Sequence, residues 1–317
     1  MPLDAQTKAI LDNARQSGAP ALYELPVAEA RAALKEMTRA LDIEKTAVHR
    51  REERMIPDPA GDIPVRIYWP RAAEPDALLG VLVNIHGGGF ALGDLDSHEN
   101  TSRYYCTHGG VIVVSVGYRL SPEFKFPTGL KDCEAALCWV ADHATEFGGD
   151  PQRIAIMGDS AGGNLSAVLC QIAKARGGPA IKYQILVYPV VDLDPNADYR
   201  SRKAFGGGDY FLSLQDMIWL NSMYFETPEE GMKDPRASPI LTQDLAGLPP
   251  ALIITAGYDP LADEGADYAA RLRAAGVACE HVCFESTIHG FMAFAGAIDA
   301  GARGLALVAQ RLKEKLG

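Results

Sequence analysis

"RIAIMGDSAGGNLSAVLC", residues 153–170, decides the fold. Ile154 to Met157 is a short apolar run of the kind found in strands buried on both faces. Gly158-Asp159-Ser160-Ala161-Gly162-Gly163 then breaks the run, and a helical pattern begins at once. The order strand, sharp turn, helix holds the Ser160 hydroxyl exposed at the carboxyl edge of a sheet, and the flanking glycines let the backbone take that turn. The helix behind it presents a partial positive charge to any negative charge that develops there. Gly158 to Gly162 reads G-x-S-x-G, a short pattern that occurs by accident; its setting between a strand and a helix makes it a candidate nucleophile.

The same alternation extends outward. Strand-like runs lie at 46–56, 63–69, 78–85, 110–118, 182–189, 251–257 and 278–285, with helical patterns near 130–144, 261–275 and 299–316. The stretch after Ser160 reads as a helix over 161–176. Strand–helix alternation predicts an α/β protein with a mostly parallel central sheet covered by helices on both faces. The first strands have no helices between them, so the sheet is expected to open antiparallel. Helices are predicted at 4–17 and 27–42, and residues 196–236, with the helical pattern "SLQDMIWLNSMYF", read as an insertion between a strand and the next βα unit.

Composition narrows the function. The chain has 317 residues and a net charge of −11, which disfavours binding to a phosphate backbone. No apolar run reaches the ~18–20 residues of a transmembrane helix, and the polar start lacks the apolar core of a signal peptide. A cytoplasmic location follows as an expectation, with the six cysteines reduced and mostly buried. They lack zinc-type spacing, and there is no H-E-x-x-H, no P-loop and no dinucleotide fingerprint in the glycine loop. No metal and no cofactor are expected.

A serine hydroxyl needs a base. Of seven histidines, His289 in "STIHGFM" follows the last expected strand, at the sheet edge that carries Ser160. His281 falls inside that strand, and His98 follows the glycine loop. The base needs an orienting carboxylate. Asp259 ends the strand "ALIITAGY"; Asp192, after "YPVV", is the next candidate. Asp263 and Glu264 read as charges at a helix start. The order Ser160, Asp259, His289 is that of α/β-hydrolases. The glycine run in "VLVNIHGGGFALGD", residues 81–94, then acquires a purpose. The N–H groups of Gly88 and Gly89, with that of Ala161, would form an oxyanion hole, and His86 would brace the loop.

"HGGGF", "YRLSPEFKFP", "GDSAGGNLSA", "YDPLADEG" and "IHGF" together resemble the hormone-sensitive-lipase family of esterases, bacterial family IV, from about residue 45 to the end. The resemblance implies the α/β-hydrolase fold, with a catalytic domain at 46–195 plus 237–317 and a helical cap at 1–45 plus 196–236. It implies a carboxylesterase acting on short- to medium-chain acyl esters. Phe90, Tyr210, Phe211, Met217 and Ile218 are the expected substrate contacts. Phe124 stands where many members carry histidine, which touches local packing alone. The expected partner is a small-molecule ester, with no nucleic acid; a homodimer is compatible with the sequence. The rival readings are a ligand receptor on this fold, which typically lacks the histidine, and a dehydratase or amide hydrolase.

Overall fold

The computed structural model describes residues 1–72 and 77–317. Eight strands form one sheet: β1 (Arg50–Ile56), β2 (Ile63–Trp69), β3 (Leu79–Ile85), β4 (Ile112–Val116), β5 (Gly149–Asp159), β6 (Tyr183–Val187), β7 (Ala251–Tyr258) and β8 (Cys279–Ile288). Their spatial order is β1-β2-β4-β3-β5-β6-β7-β8. The β1–β2 and β2–β4 pairs are antiparallel and all later pairs are parallel, as expected from the missing early helices.

The helices are α1 (Ala5–Ser17), α2 (Val27–Leu41), α3 (Glu99–Gly109), α4 (Thr128–His143), α5 (Ala161–Arg176), α6 (Arg200–Phe205), α7 (Leu214–Tyr224), α8 (Pro228–Gly231), α9 (Ala262–Ala274) and α10 (Asp299–Leu316). Helix α3 was not expected. Its sequence "ENTSRYYCTHG" is mostly polar, and Tyr105 and Cys106 are its large buried side chains, so no apolar stripe announces it. Strand β1 begins at Arg50, four residues later than the expected run. Among the described residues no helix is long and apolar enough to cross a membrane.

Side chains alternate between the two faces of the sheet, as the two-residue period of a strand requires. Val81, Val83 and Ile85 of β3 join the core beneath α4, α5 and α9. Leu82 points the other way, into the core shared with α3 and α10. A smaller cluster joins Ala30 of α2 to Leu92 and to Met223 of α7, so α2 and α7 lie together above the loop that follows β3. The cysteines divide: Cys106, Cys133 and Cys170 are buried, Cys138 and Cys279 half-buried and Cys283 exposed.

The insertion is anchored at depth. Arg202 of α6 and Glu264 of α9 form an ion pair in which both side chains are essentially inaccessible. Glu264 also accepts the Val191 and Asp192 N–H groups, and Arg202 donates to the Asp192 and Asp194 carbonyls. Glu264 stands in the first turn of α9, as expected, but is buried there. The long side chain of Arg202, 62 residues earlier, draws it into the core.

Candidate active site

Strand register brings the site together. Ile85 of β3 lies opposite Gly158 of β5, which sets the 86–90 loop beside the Ser160 turn. Tyr258 of β7 lies opposite Ile288 of β8, so Asp259 and His289 emerge side by side, each one residue beyond its strand. Helix α5 packs against β3 so closely that a Cβ on Gly162 would stand 2.0 Å from the Ile85 carbonyl oxygen. That contact accounts for the second glycine of the motif.

Ser160 has φ 53° and ψ −115°, an unfavourable conformation for a residue with a side chain. The Ser160 N–H donates to Val187 O at 2.8 Å, and its carbonyl accepts from Asn164 N at 3.0 Å, which hold the turn. The Ser160 Oγ is 3.0 Å from His289 Nε2, and His289 Nδ1 is 2.7 Å from Asp259 Oδ2. Asp259 is fully buried and His289 nearly so. The other Asp259 oxygen accepts the Leu261 N–H at 2.8 Å, which fixes the carboxylate. Asp192 is elsewhere: it accepts from Asp194 N and Tyr199 OH.

The glycine loop faces Ser160. Gly87 N–H donates to Asp159 Oδ1 at 2.9 Å and is therefore occupied. Among the described residues the N–H groups of Gly88 and Gly89 meet no acceptor. The Ala161 N–H opens α5, where the first donors of a helix have no partner within it. A Cβ on Gly88, at φ 107°, would lie 2.3 Å from the Leu92 carbonyl oxygen. His86 Nδ1 bonds to the Gly87 carbonyl at 2.8 Å, its ring stacks on Tyr118, and burial pushes its pKa down to about 4, so it braces the loop as a neutral ring.

Two further carboxylates lie close by. Burial alone would raise Asp159, but the His98 ring and the Gly87 N–H hold it below the ordinary carboxylate value. Burial pushes Asp42, at the end of α2, up to about 6. His98 Nε2 is 3.1 Å from Asp159 Oδ1. Neither Asp159 nor Asp42 was singled out as a site residue by the sequence reading.

Above Ser160 and His289 opens a cavity walled by Leu22, Leu34, Leu92, Phe211, Leu212, Trp219, Leu220 and Phe294, with Thr38, His98 and Asp216 as polar points. Of the five expected substrate contacts, Phe211 is the one that lines it. Phe90 turns into the core and stacks on Tyr224 at 3.9 Å. Tyr210 packs against Phe205 and Tyr258. Met217 lies in the main core, and Ile218 is 46% exposed on the outer surface of α7. The wall is instead the next part of that helix, Trp219 and Leu220, and residues of the N-terminal segment.

A family model described as an alpha/beta hydrolase fold matches residues 82–293. Carboxylic ester hydrolase LipN of Mycobacterium tuberculosis is 47% identical over 242 residues, which cover 75% of this chain and 63% of LipN, less than two thirds of that relative. Carboxylesterase NlhH of the same organism is 42% identical over 272 residues, covering 83% of both chains. A solved structure, the hyperthermophilic esterase of the archaeon Pyrobaculum calidifontis, superposes with a TM-score of 0.94 at 38% identity over 99% of both chains.

Proposed function

Because the chain belongs to the α/β-hydrolase family, in its hormone-sensitive-lipase branch, we propose that it hydrolyses short- to medium-chain carboxylic esters, with Ser160 as nucleophile, His289 as base and Asp259 as its orienting acid. The observation that carries this reading is the unbroken relay from Ser160 Oγ through His289 to Asp259, at 3.0 and 2.7 Å. Two unbonded N–H groups, those of Gly88 and Gly89, stand beside it among the described residues.

The chemistry runs as follows. Ser160 Oγ attacks the ester carbonyl carbon while its proton passes to His289 Nε2. The Asp259 carboxylate, held to Nδ1–H, keeps the ring in the needed tautomer and stabilises the imidazolium that forms. The carbonyl oxygen becomes an oxyanion and is met by the N–H groups of Gly88, Gly89 and Ala161. His289 returns the proton to the departing alcohol, leaving an acyl group on Ser160. A water molecule then gives its proton to His289 and attacks the acyl carbon, and the carboxylic acid leaves with Ser160 restored.

Residues 1–45 and 196–236 act as a cap over a catalytic domain formed by 46–195 and 237–317. The cavity walls support this division, since Leu22, Leu34, Phe211, Leu212, Trp219 and Leu220 all come from the cap segments. The test is turnover of p-nitrophenyl butyrate together with labelling by a p-nitrophenyl phosphonate. The expected result is phosphonylation of Ser160, seen by mass spectrometry, and loss of both labelling and turnover in Ser160→Ala. Full turnover by that variant would overturn the assignment.

A further inference from the structure

His98 stands between the glycine loop and α3, and no step of the ester chemistry above uses it. Its two ring nitrogens have different neighbours. Nε2 faces Asp159 Oδ1 at 3.1 Å, and Nδ1 lies 2.9 Å from Ser97 Oγ. The roles at Ser97 can be worked out by counting hydrogens. Its hydroxyl accepts the Asp94 N–H at 2.9 Å and is 2.9 Å from the Asp94 carbonyl oxygen. A carbonyl oxygen only accepts, so this bond uses the single hydroxyl proton of Ser97; donation to a neutral His98 Nδ1 instead would leave the half-buried Asp94 contact unbonded. The remaining contact, with His98 Nδ1, is then satisfied when the ring nitrogen is the donor. Nε2 must also donate, because the carboxylate opposite it only accepts. With a proton on each nitrogen, the ring is an imidazolium.

The partner of this cation is tied to the oxyanion loop. Asp159 Oδ1 accepts from His98 and also from the Gly87 N–H at 2.9 Å. Gly87 immediately precedes Gly88 and Gly89, which line the cavity beside Ser160 and whose N–H groups meet no acceptor among the described residues. From this geometry we infer that His98 is a positioning residue, protonated in the working enzyme, which fixes the Asp159 carboxylate against Gly87 and so aims the Gly88 and Gly89 donors at the developing oxyanion. The inference rests on the esterase reading of the site for its effect on rate, but the protonation state of His98 does not.

The charges around the ring agree with it. Burial alone would lower its pKa, but Asp159, Asp42 and Asp94 outweigh burial and raise it. These three come from the end of β5, the end of α2 and the loop after β3. His86, the other cationic candidate within reach, is pushed to about 4 and stays neutral. Tyr105 and Tyr188, around the small cavity beneath the ring, are raised well above 10 by burial. Asp42 has an upward-shifted value of about 6. Above the range of Asp42 none of these neighbours changes charge until the tyrosines do, so an alkaline loss of charge at this cluster belongs to His98.

Two measurements test the inference. The first reads the ring nitrogen shifts of the wild-type protein labelled with nitrogen-15, using His98→Gln to assign the signal. At pH 7 both His98 nitrogens should be protonated while His86 carries one proton. The second compares wild type, His98→Gln and Asp159→Asn on p-nitrophenyl butyrate. A displaced oxyanion donor acts in the transition state and not on substrate binding. Each variant should therefore lose roughly 10- to 100-fold in kcat with KM within about 2-fold, a lighter loss than removing a donor outright. The wild-type fall in kcat on the alkaline side should be absent in His98→Gln, and the double variant should be no slower than the worse single one. A neutral His98 at pH 7, or a His98→Gln enzyme with unchanged kcat and unchanged alkaline limb, would overturn the inference. Wild-type protein without ester turnover would instead count against the esterase reading, and the nitrogen shifts would still decide the charge.

Discussion

Leu220 of α7 fills the space into which a side chain at Gly89 would grow: a Cβ built there lies 2.3 Å from Leu220 Cδ1 and 2.8 Å from its Cγ. The cap helix is thus in direct contact with the oxyanion loop. Gly89 also has φ 59°, where any residue with a Cβ is disfavoured.

These contacts rank two substitutions. Gly89→Ala meets a leucine side chain, which can move, at a backbone cost of about 1–2 kcal/mol. Gly88→Ala meets the Leu92 carbonyl, which is main chain and cannot. Gly89→Ala should fold and lose about 10- to 100-fold in kcat, less than the ~10²–10³ of a lost donor. Gly88→Ala should lose more and melt at a lower temperature. Thermal melts and butyrate turnover check both; a Gly88→Ala enzyme as active as Gly89→Ala would contradict the ranking.

The two candidate acids separate as clearly. Asp259 is bonded to His289 at 2.7 Å, whereas Asp192 serves its own loop. Asp259→Asn should lower kcat by about 10⁴ through the wrong tautomer and loss of the imidazolium partner. Asp192→Asn should stay within a few-fold of wild type. Comparable activities in the two variants would remove Asp259 from its role.

The Arg202–Glu264 pair holds the insertion to the catalytic domain. Arg202→Met leaves a carboxylate in a site with no solvent access. Breaking a buried pair from one side costs about 3–5 kcal/mol, because the remaining charge, though still bonded to the Val191 and Asp192 N–H groups, has no opposite charge. Urea unfolding should register a loss of that order. A loss below about 1 kcal/mol would show that the pair anchors nothing.

The parts of this molecule that were legible in its sequence are those governed by short-range rules. Ser160 announces itself through strand, turn and helix within twenty residues. Asp259 and His289 do so because each follows a strand whose end must lie at the same sheet edge. The cavity wall was not legible. Helix α7 is apolar on nearly every side, from Leu214 through Met217, Ile218, Trp219 and Leu220 to Met223, so its sequence does not say which face meets Ser160. Expecting Met217 and Ile218 there erred by a fraction of a turn. Phe90 misled for another reason: φ 63° swings it away from the cavity and onto Tyr224. Glu264 does stand in the first turn of α9, as read, but its buried partner Arg202 was not legible because it is distant in sequence.

Chain-length preference follows from the wall that is observed. Each acyl methylene buried against Leu34, Leu212, Trp219 or Phe294 adds up to about 0.8 kcal/mol, nearly 4-fold in kcat/KM. The gain stops where the chain meets the end of the cavity, beyond which overpacking opposes it. The resemblance to the hormone-sensitive-lipase family puts that limit at butanoyl to octanoyl esters, about C4–C8, which should be the best substrates. Removing residues 1–40 is a blunt probe of this limit. It takes away Leu22, Leu34 and Thr38, but also the Asp4 N–H bond to Ser286 O, the buried Thr7–Thr287 contact two residues before His289, and the Arg31 bond to Ala91 O beside the glycine loop. That deletion should cost turnover on every ester. Trp219→Ala is the cleaner change, since it widens the wall without touching those bonds. It should move the optimum of kcat/KM to longer chains in a p-nitrophenyl series from C2 to C16, with acetate turnover within about 3-fold of wild type. A wild-type optimum at C16, or a Trp219→Ala profile identical to wild type, would mean that the cap does not limit the acyl chain.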